Sequence, residues 1–254
     1  MNSLSARNWR AAAAAIYDGL IRIDGLTRIE EALRMDLVHA AYEPAGDGPH
    51  PTILAMHGWG SNALDLMGLA SYIARGPCMM LCPQGPVEVE IGAVNGYGWY
   101  SLRMGAPPDM EEMGRAADRL MRFVDAAIER YPVDRRKLIV MGFSQGGVMA
   151  YNLAIRHPER FAALVALSTW FPEELAEYAD NRDALARLPT LVQHGRADDM
   201  IDITKARQSV ERLRALKLPL TYREYDGAHE ITVDELQDLS TFLMEKVIQP
   251  VITP

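Results

Sequence analysis

The strongest chemical signal in the sequence is the run Lys137-Leu-Ile-Val-Met-Gly-Phe-Ser-Gln-Gly-Gly-Val-Met-Ala-Tyr, in which a β-rich stretch feeds into Gly142-Phe143-Ser144-Gln145-Gly146 and helical periodicity begins at once. In a G-x-S-x-G turn the chain reverses so sharply that the serine is strained and exposed. The glycines two residues to either side let strand and helix approach without Cβ clashes. Ser144 then sits at a helix N-terminus, where main-chain N–H groups favour developing negative charge. The bland alternative is an inert glycine-serine turn. A serine hydroxyl is a poor nucleophile until a base takes its proton, so the nucleophile reading demands a histidine and an acid further along the chain.

Both occur where loops should follow strands. Thr190-Leu-Val-Gln-His-Gly-Arg-Ala-Asp-Asp presents Asp198, and Leu220-Thr-Tyr-Arg-Glu-Tyr-Asp-Gly-Ala-His presents His229. The order Ser, Asp, His fits acyl transfer on a parallel sheet, and each interval has room for one or two βα units. Asp199 and Asp226 are rival acids. Asp198 is favoured because it follows the glycine turn Gly195-Arg196-Ala197 directly. Glu230 is expected at the rim of the site or in solvent. His57 and His194 precede glycines at strand ends and read as braces for loops, whereas His39, His50 and His157 read as surface residues.

Acyl transfer also needs donors for an oxyanion. One expected donor is the main-chain N–H of Gln145, and the other is that of Trp59 in His57-Gly58-Trp59-Gly60, after the apolar run Thr52-Ile-Leu-Ala-Met. The Trp59 indole would border the pocket, the alternative being a tryptophan that caps a sheet edge.

Positioning these groups requires a particular architecture. β-rich runs at 52–57, 79–82, 137–142, 163–167, 190–194 and 220–225 alternate with helical patterns at 63–74, 110–130, 145–156, 172–187, 203–216 and 234–247. Such alternation predicts an α/β fold, a mostly parallel sheet with helices on both faces, in a single domain spanning 1–254. Residues 33–42 add an earlier strand, antiparallel to the rest in one reading. Residues 84–108 exceed ordinary loop lengths, and their cluster Tyr97, Trp99 and Tyr100 either lines a pocket or pins the loop to the core. Between Ser168 and Thr190 there is space for one helix, so any cap over the site is minimal.

The 254 residues are 49% hydrophobic and 24% charged, a globular composition that excludes disordered and fibrous classes. With 26 basic against 34 acidic residues the net charge is −8, which argues against nucleic acid as a partner. No apolar run approaches the length of a membrane span, so no membrane insertion is expected. Arg7 and Arg10 before Ala11-Ala-Ala-Ala-Ala faintly suggest a signal peptide, and an alanine-rich helical extension over 1–30 is the plainer reading. Two cysteines, Cys78 and Cys82 on one short strand, imply no disulfide framework, a reducing cytoplasmic setting and no zinc site. A homodimer is compatible with this composition.

His57-Gly58-Trp59-Gly60, Gly142-Phe143-Ser144-Gln145-Gly146-Gly147, His194-Gly195-Arg196-Ala197-Asp198 and Gly227-Ala228-His229 together resemble the phospholipase/carboxylesterase family of α/β-hydrolases, which includes acyl-protein thioesterases. Cys82-Pro83-Gln84-Gly85-Pro86 and Gly98-Trp99-Tyr100 resemble that family's loop before the nucleophile strand. The resemblance runs from about Pro51 to the C-terminus. It implies the α/β-hydrolase fold and hydrolysis of carboxylic esters or thioesters without a cofactor. The sequence departs from many relatives at Trp59, where they carry a small or aliphatic residue, and at Asp199-Met200-Ile201-Asp202, where they carry a Pro-Val-Val-Pro-like run.

The expected reaction is two-step acyl transfer to Ser144, with His229 as base and Asp198 orienting it. Trp59, Phe143, Trp99, Trp170, Phe171 and Met200 are the expected pocket residues. Crowding by such bulk predicts a small-molecule ester with a short to medium acyl chain. A lysophospholipase or acyl-protein thioesterase, a serine peptidase, and a hydrolase-fold receptor without turnover are the alternatives, in that order.

Overall fold

The computed structural model describes residues 35–91, 94–102 and 107–249, and the helical extension expected over 1–30 lies outside them. The strands are β1 (His39–Tyr42), β2 (His50–Met56), β3 (Met79–Pro83), β4 (Val87–Ile91), β5 (Val94–Gly98), β6 (Val133–Phe143), β7 (Ala163–Leu167), β8 (Thr190–Gly195) and β9 (Leu220–Tyr225). The α-helices are α1 (Met110–Arg130), α2 (Gln145–Arg156), α3 (Arg182–Leu185), α4 (Ile203–Ala215) and α5 (Val233–Leu243). Seven strands form one sheet in the order β1-β3-β2-β6-β7-β8-β9, while β4 and β5 form a separate antiparallel hairpin. Within the large sheet only β1 runs antiparallel, on β3.

The continuous apolar strands follow from burial on both faces. Alternate residues go to opposite cores: Leu54, Met56, Leu138 and Val140 face α1 and α2, while Ile53, Ala55, Ile139 and Met141 face α5 and the turns at 66–75. From β2 the chain crosses to β3 on one side, and from β6 it crosses to β7 on the other. The carboxyl ends of β2 and β6 therefore flank the point where strand order reverses, the place where open α/β sheets leave a crevice for ligands.

Several elements differ from the sequence expectation. Residues 63–74 form two 3₁₀ turns, Leu66–Leu69 and Ile73–Arg75, rather than one helix; residues 70–72 separate them, and Ala74 takes φ 49°. Residues 172–187 split into a 3₁₀ segment, Glu173–Tyr178, and the short α3, because Asn181 accepts the N–H of Ala184 and starts a new helix. The chain after α5 widens into a π turn, Met244–Ile248. The 84–108 stretch contains the β4-β5 hairpin. His39 is half-buried, with Tyr131 Oη 2.9 Å from its Nε2 and its ring edge-on to Phe123.

Cys78 and Cys82 are unpaired and buried, and burial pushes their thiols up to about 11 and about 12. Among the described residues no helix is long and apolar enough to cross a membrane.

Candidate active site

β6 ends at Phe143 and α2 begins at Gln145, so a single residue, Ser144, makes the turn. It does so at φ 54° and ψ −120°, a conformation that costs a non-glycine residue on the order of 1–3 kcal/mol. The neighbours over-determine it. Its N–H donates to Leu167 O on β7 at 3.0 Å, and its carbonyl accepts from Thr169 Oγ1 at 2.7 Å. A Cβ on Gly142 would collide with Gly146 O, and one on Gly146 with Met56 O on β2. Glycine at both positions is thus a packing requirement of bringing strand, helix and β2 together. Ser144 Oγ makes no hydrogen bond among the described residues, and such links commonly tighten only when substrate is bound.

Asp198 follows β8, and His229 follows β9. Asp198 Oδ2 accepts the Nδ1–H of His229 at 2.8 Å, with the carboxylate 0% and the imidazole 17% exposed. Oδ1 accepts main-chain N–H groups of Met200 at 3.0 Å and Ile201 at 2.8 Å, which fixes the carboxylate plane. With its hydrogen on Nδ1, His229 presents the Nε2 lone pair, the atom a general base needs. The loop carrying His229 ends in a capping box. Thr232 receives Glu235 N–H, and the Glu235 carboxylate accepts Thr232 N–H at 2.6 Å, anchoring the start of α5. The Phe143 ring lies 4.8 Å from the His229 ring, bringing His229 back over the end of β6. The rival acids stand apart. Asp199 and Glu230 are exposed, and Asp226 is exposed and paired with Arg196 Nη1 at 2.6 Å.

The loop after β2 abuts Ser144: an added Cβ on Gly58 would come 3.3 Å from Ser144 Cβ. His57 is buried inside this loop. Its Nδ1–H donates to Gly58 O at 2.8 Å, and Nε2 accepts Gly85 N–H at 2.9 Å. Burial holds its pKa below the usual histidine value, which suits a neutral brace. The carbonyl of His57 accepts Trp99 Nε1–H at 2.9 Å, while the Gln145 side chain accepts Trp99 N–H at 2.8 Å and donates to Tyr100 O at 2.7 Å. Gly60 N–H donates to Tyr97 O at 2.8 Å, and Tyr97 N–H returns to Ser61 O at 2.7 Å. The β4-β5 hairpin is therefore laced to the loop carrying Trp59, whose indole packs against Gly98.

Two expected pocket residues need correction. Trp99 is 0% exposed because both of its N–H groups are consumed in holding the loops together, so it braces the site instead of lining it. Phe171 is also 0% exposed, its N–H donating to Ser209 Oγ and its ring edge-on to Tyr151 in the core. Trp59, Phe143 and Trp170 are half-buried, and Met200, on the Asp198 turn, is 72% exposed. The Gln145 side chain was missed from sequence, where only its main-chain N–H had a role.

The family model described as Phospholipase/Carboxylesterase matches residues 38–247. The chain belongs to the phospholipase/carboxylesterase family. Among curated relatives of this family, acyl-protein thioesterase 1 of Gibberella zeae is 23% identical over 183 residues, covering 65% of this chain and 74% of its own. Two solved structures share the α/β-hydrolase fold. Zea mays acyl-protein thioesterase 2 superposes with a TM-score of 0.70 at 22% identity, covering 82% of this chain and 97% of its own. The Bacillus cereus carboxylesterase gives 0.71 at 18% identity, covering 86% and 98%. This phospholipase/carboxylesterase family member is a serine hydrolase of the esterase and thioesterase kind.

Proposed function

We propose that the chain is a serine carboxylesterase for short- to medium-chain acyl esters, working through Ser144, His229 and Asp198. The observation that carries the reading is the 2.8 Å hydrogen bond from His229 Nδ1 to the buried Asp198, with the His229 ring against that of the residue before the strained serine. His229 Nε2 takes the Ser144 Oγ proton as Oγ attacks the ester carbonyl. The tetrahedral oxyanion is held by main-chain N–H groups of Trp59 and Gln145, each worth about 3 kcal/mol by analogy with measured oxyanion donors. The imidazolium, stabilised by Asp198, then protonates the departing alkoxide and leaves an acyl-enzyme. Water repeats the sequence on the acyl-enzyme and releases the acid.

The short segment between β7 and β8, a 3₁₀ stretch and the four residues of α3, supports an open site with little cap. Trp59, Phe143, Trp170 and Met200 are the proposed walls, and their bulk limits chain length by clash once the acyl group outgrows the space. The two buried, unpaired cysteines support a reducing cytoplasmic setting. The residues from β1 to the end of α5 are proposed to act as one domain.

The test is a kcat/KM series with purified protein across acyl esters from acetyl to palmitoyl, with an acyl thioester in parallel. A maximum at short or medium chains supports the proposal. A steady rise to palmitoyl, or marked preference for the thioester, overturns it in favour of a lysophospholipase or acyl-protein thioesterase.

A further inference from the structure

His194, the next-to-last residue of β8, has a fully buried imidazole beside Asp198. Its Nε2 lies 2.7 Å from Ile201 O and 3.3 Å from Asp198 Oδ2. Its Nδ1 is buried and has no hydrogen-bond partner among the described residues. A carbonyl at 2.7 Å accepts only, so the ring's hydrogen is on Nε2, directed at Ile201 O with its positive edge against the carboxylate.

We infer that His194 is a positioning residue for the reaction, sharing its Nε2–H environment between the Ile201 carbonyl and Asp198 so that the carboxylate is held in place and its charge divided between two histidines. This deepens, and rests on, the esterase reading. The geometry is a closed circuit. Ile201 N–H donates to Asp198 Oδ1, Ile201 O accepts from His194, and the His194 ring edge lies 3.3 Å from Asp198 Oδ2. The carboxylate has no exposed surface, so no solvent replaces a lost donor, and each remaining donor counts for more than it would in water. Glu235, itself buried, lies within electrostatic reach of Asp198. Without the polar edge of the His194 ring, Oδ2 would face His229 alone. Its negative charge would then favour the imidazolium more strongly, and the base would be lost to protonation at higher pH. The turn at 198–201 would also lose its tie to β8, so the effect belongs in kcat more than in KM.

The test compares His194→Leu, which has no donor, with His194→Gln, which carries an N–H at a similar reach. Both are assayed with a nitrophenyl ester across pH, and rates are divided by the sites that a fluorophosphonate titrates. The expected result for the leucine variant is a loss of kcat of about 10- to 100-fold, by analogy with partners that orient metal-ligating histidines. Its KM is unchanged, and the acid limb of the profile moves up by ~0.5 pH unit. Glutamine restores most of both. A leucine variant with wild-type kcat and acid limb per titrated site, or a glutamine variant as impaired as leucine, overturns the inference. Should the leucine variant fail to fold, histidine-labelled NMR of the wild-type protein decides: hydrogen on Nε2 of His194 supports the inference, and hydrogen on Nδ1 overturns it. Wild-type protein that neither hydrolyses the ester nor reacts with the fluorophosphonate overturns the esterase reading itself, whereas reactive wild type with indifferent variants overturns the role of His194 alone.

Discussion

Trp99 donates its indole N–H to the carbonyl of His57 at 2.9 Å and its main-chain N–H to the Gln145 side chain at 2.8 Å. One buried residue thereby ties the loop after β2 to the first turn of α2, the two segments proposed to supply the oxyanion donors. Trp99→Phe leaves His57 O buried without its donor, at a cost of about 1–3 kcal/mol. The expected outcome is a lower melting temperature together with a kcat loss of about 10-fold or more at unchanged KM, because misplaced oxyanion donors act on the transition state. Steady-state kinetics beside thermal unfolding checks this. A variant destabilised but fully active per folded molecule would separate the brace from catalysis.

Asp198 and Asp199 are adjacent, yet only Asp198 is buried and bonded to His229. Asp198→Asn is expected to lower kcat by about 10⁴-fold, through loss of the correct imidazole tautomer. Asp199→Asn, on an exposed side chain, is expected to stay within about twofold. Parallel kinetics of the two variants measures the ranking, and equal losses would count against the geometry.

Gly146 and Gly68 make a contrasting pair. An added Cβ at Gly146 meets the main-chain oxygens of Met56 and His57, which cannot move without shifting β2, whereas at Gly68 it meets open space. Gly146→Ala is expected to destabilise by about 3 kcal/mol or more. Gly68→Ala is expected to be neutral or stabilising by up to about 1 kcal/mol. Urea unfolding midpoints of the two variants check the difference.

His57 gives a pH dependence to stability. Burial lowers its folded pKa beneath the unfolded value of 6.5, so below that value the unfolded chain binds more protons than the native one. Its contribution is complete above pH 6.5 and is lost as the pH falls from there through the folded value. His39 and His157, both also lowered chiefly by burial, act in the same direction. The melting temperature is therefore expected to fall as pH drops below about 6.5, and His57→Gln to flatten that slope. Melting curves across that range decide it.

The strands and the Ser144 turn were legible because they depend on local pattern: apolar runs bounded by glycine, and G-x-S-x-G between a strand and a helix. The placement of Asp198 and His229 just after strands was legible without knowing how the loops meet. What escaped the sequence depends on partners far along the chain. Residues 84–108 were read as one long loop, and the strand Val87–Ile91, its pairing with Val94–Gly98 and the lacing of that hairpin to Ser61 follow from contacts that no short window contains. Trp99 and Phe171 are large aromatics near the motifs, and residue type alone does not distinguish a pocket wall from a core brace. Gln145 was read for its main chain, while its amide, holding Trp99 and Tyr100, carries a further part of the positioning. The helix expected at 172–187 broke where Asn181 offered the backbone an alternative to continuing, and the one expected at 63–74 gave way to two short 3₁₀ turns separated by residues 70–72.

The central claim is that Ser144 is the nucleophile, and covalent labelling tests it most directly. Intact protein is treated with a fluorophosphonate, digested, and the adduct located by mass spectrometry, with Ser144→Ala treated alongside. The account predicts one adduct, on Ser144, none in the variant, and ester hydrolysis lost in proportion to labelling. An adduct on another serine, or hydrolysis by Ser144→Ala near the wild-type rate, would contradict it.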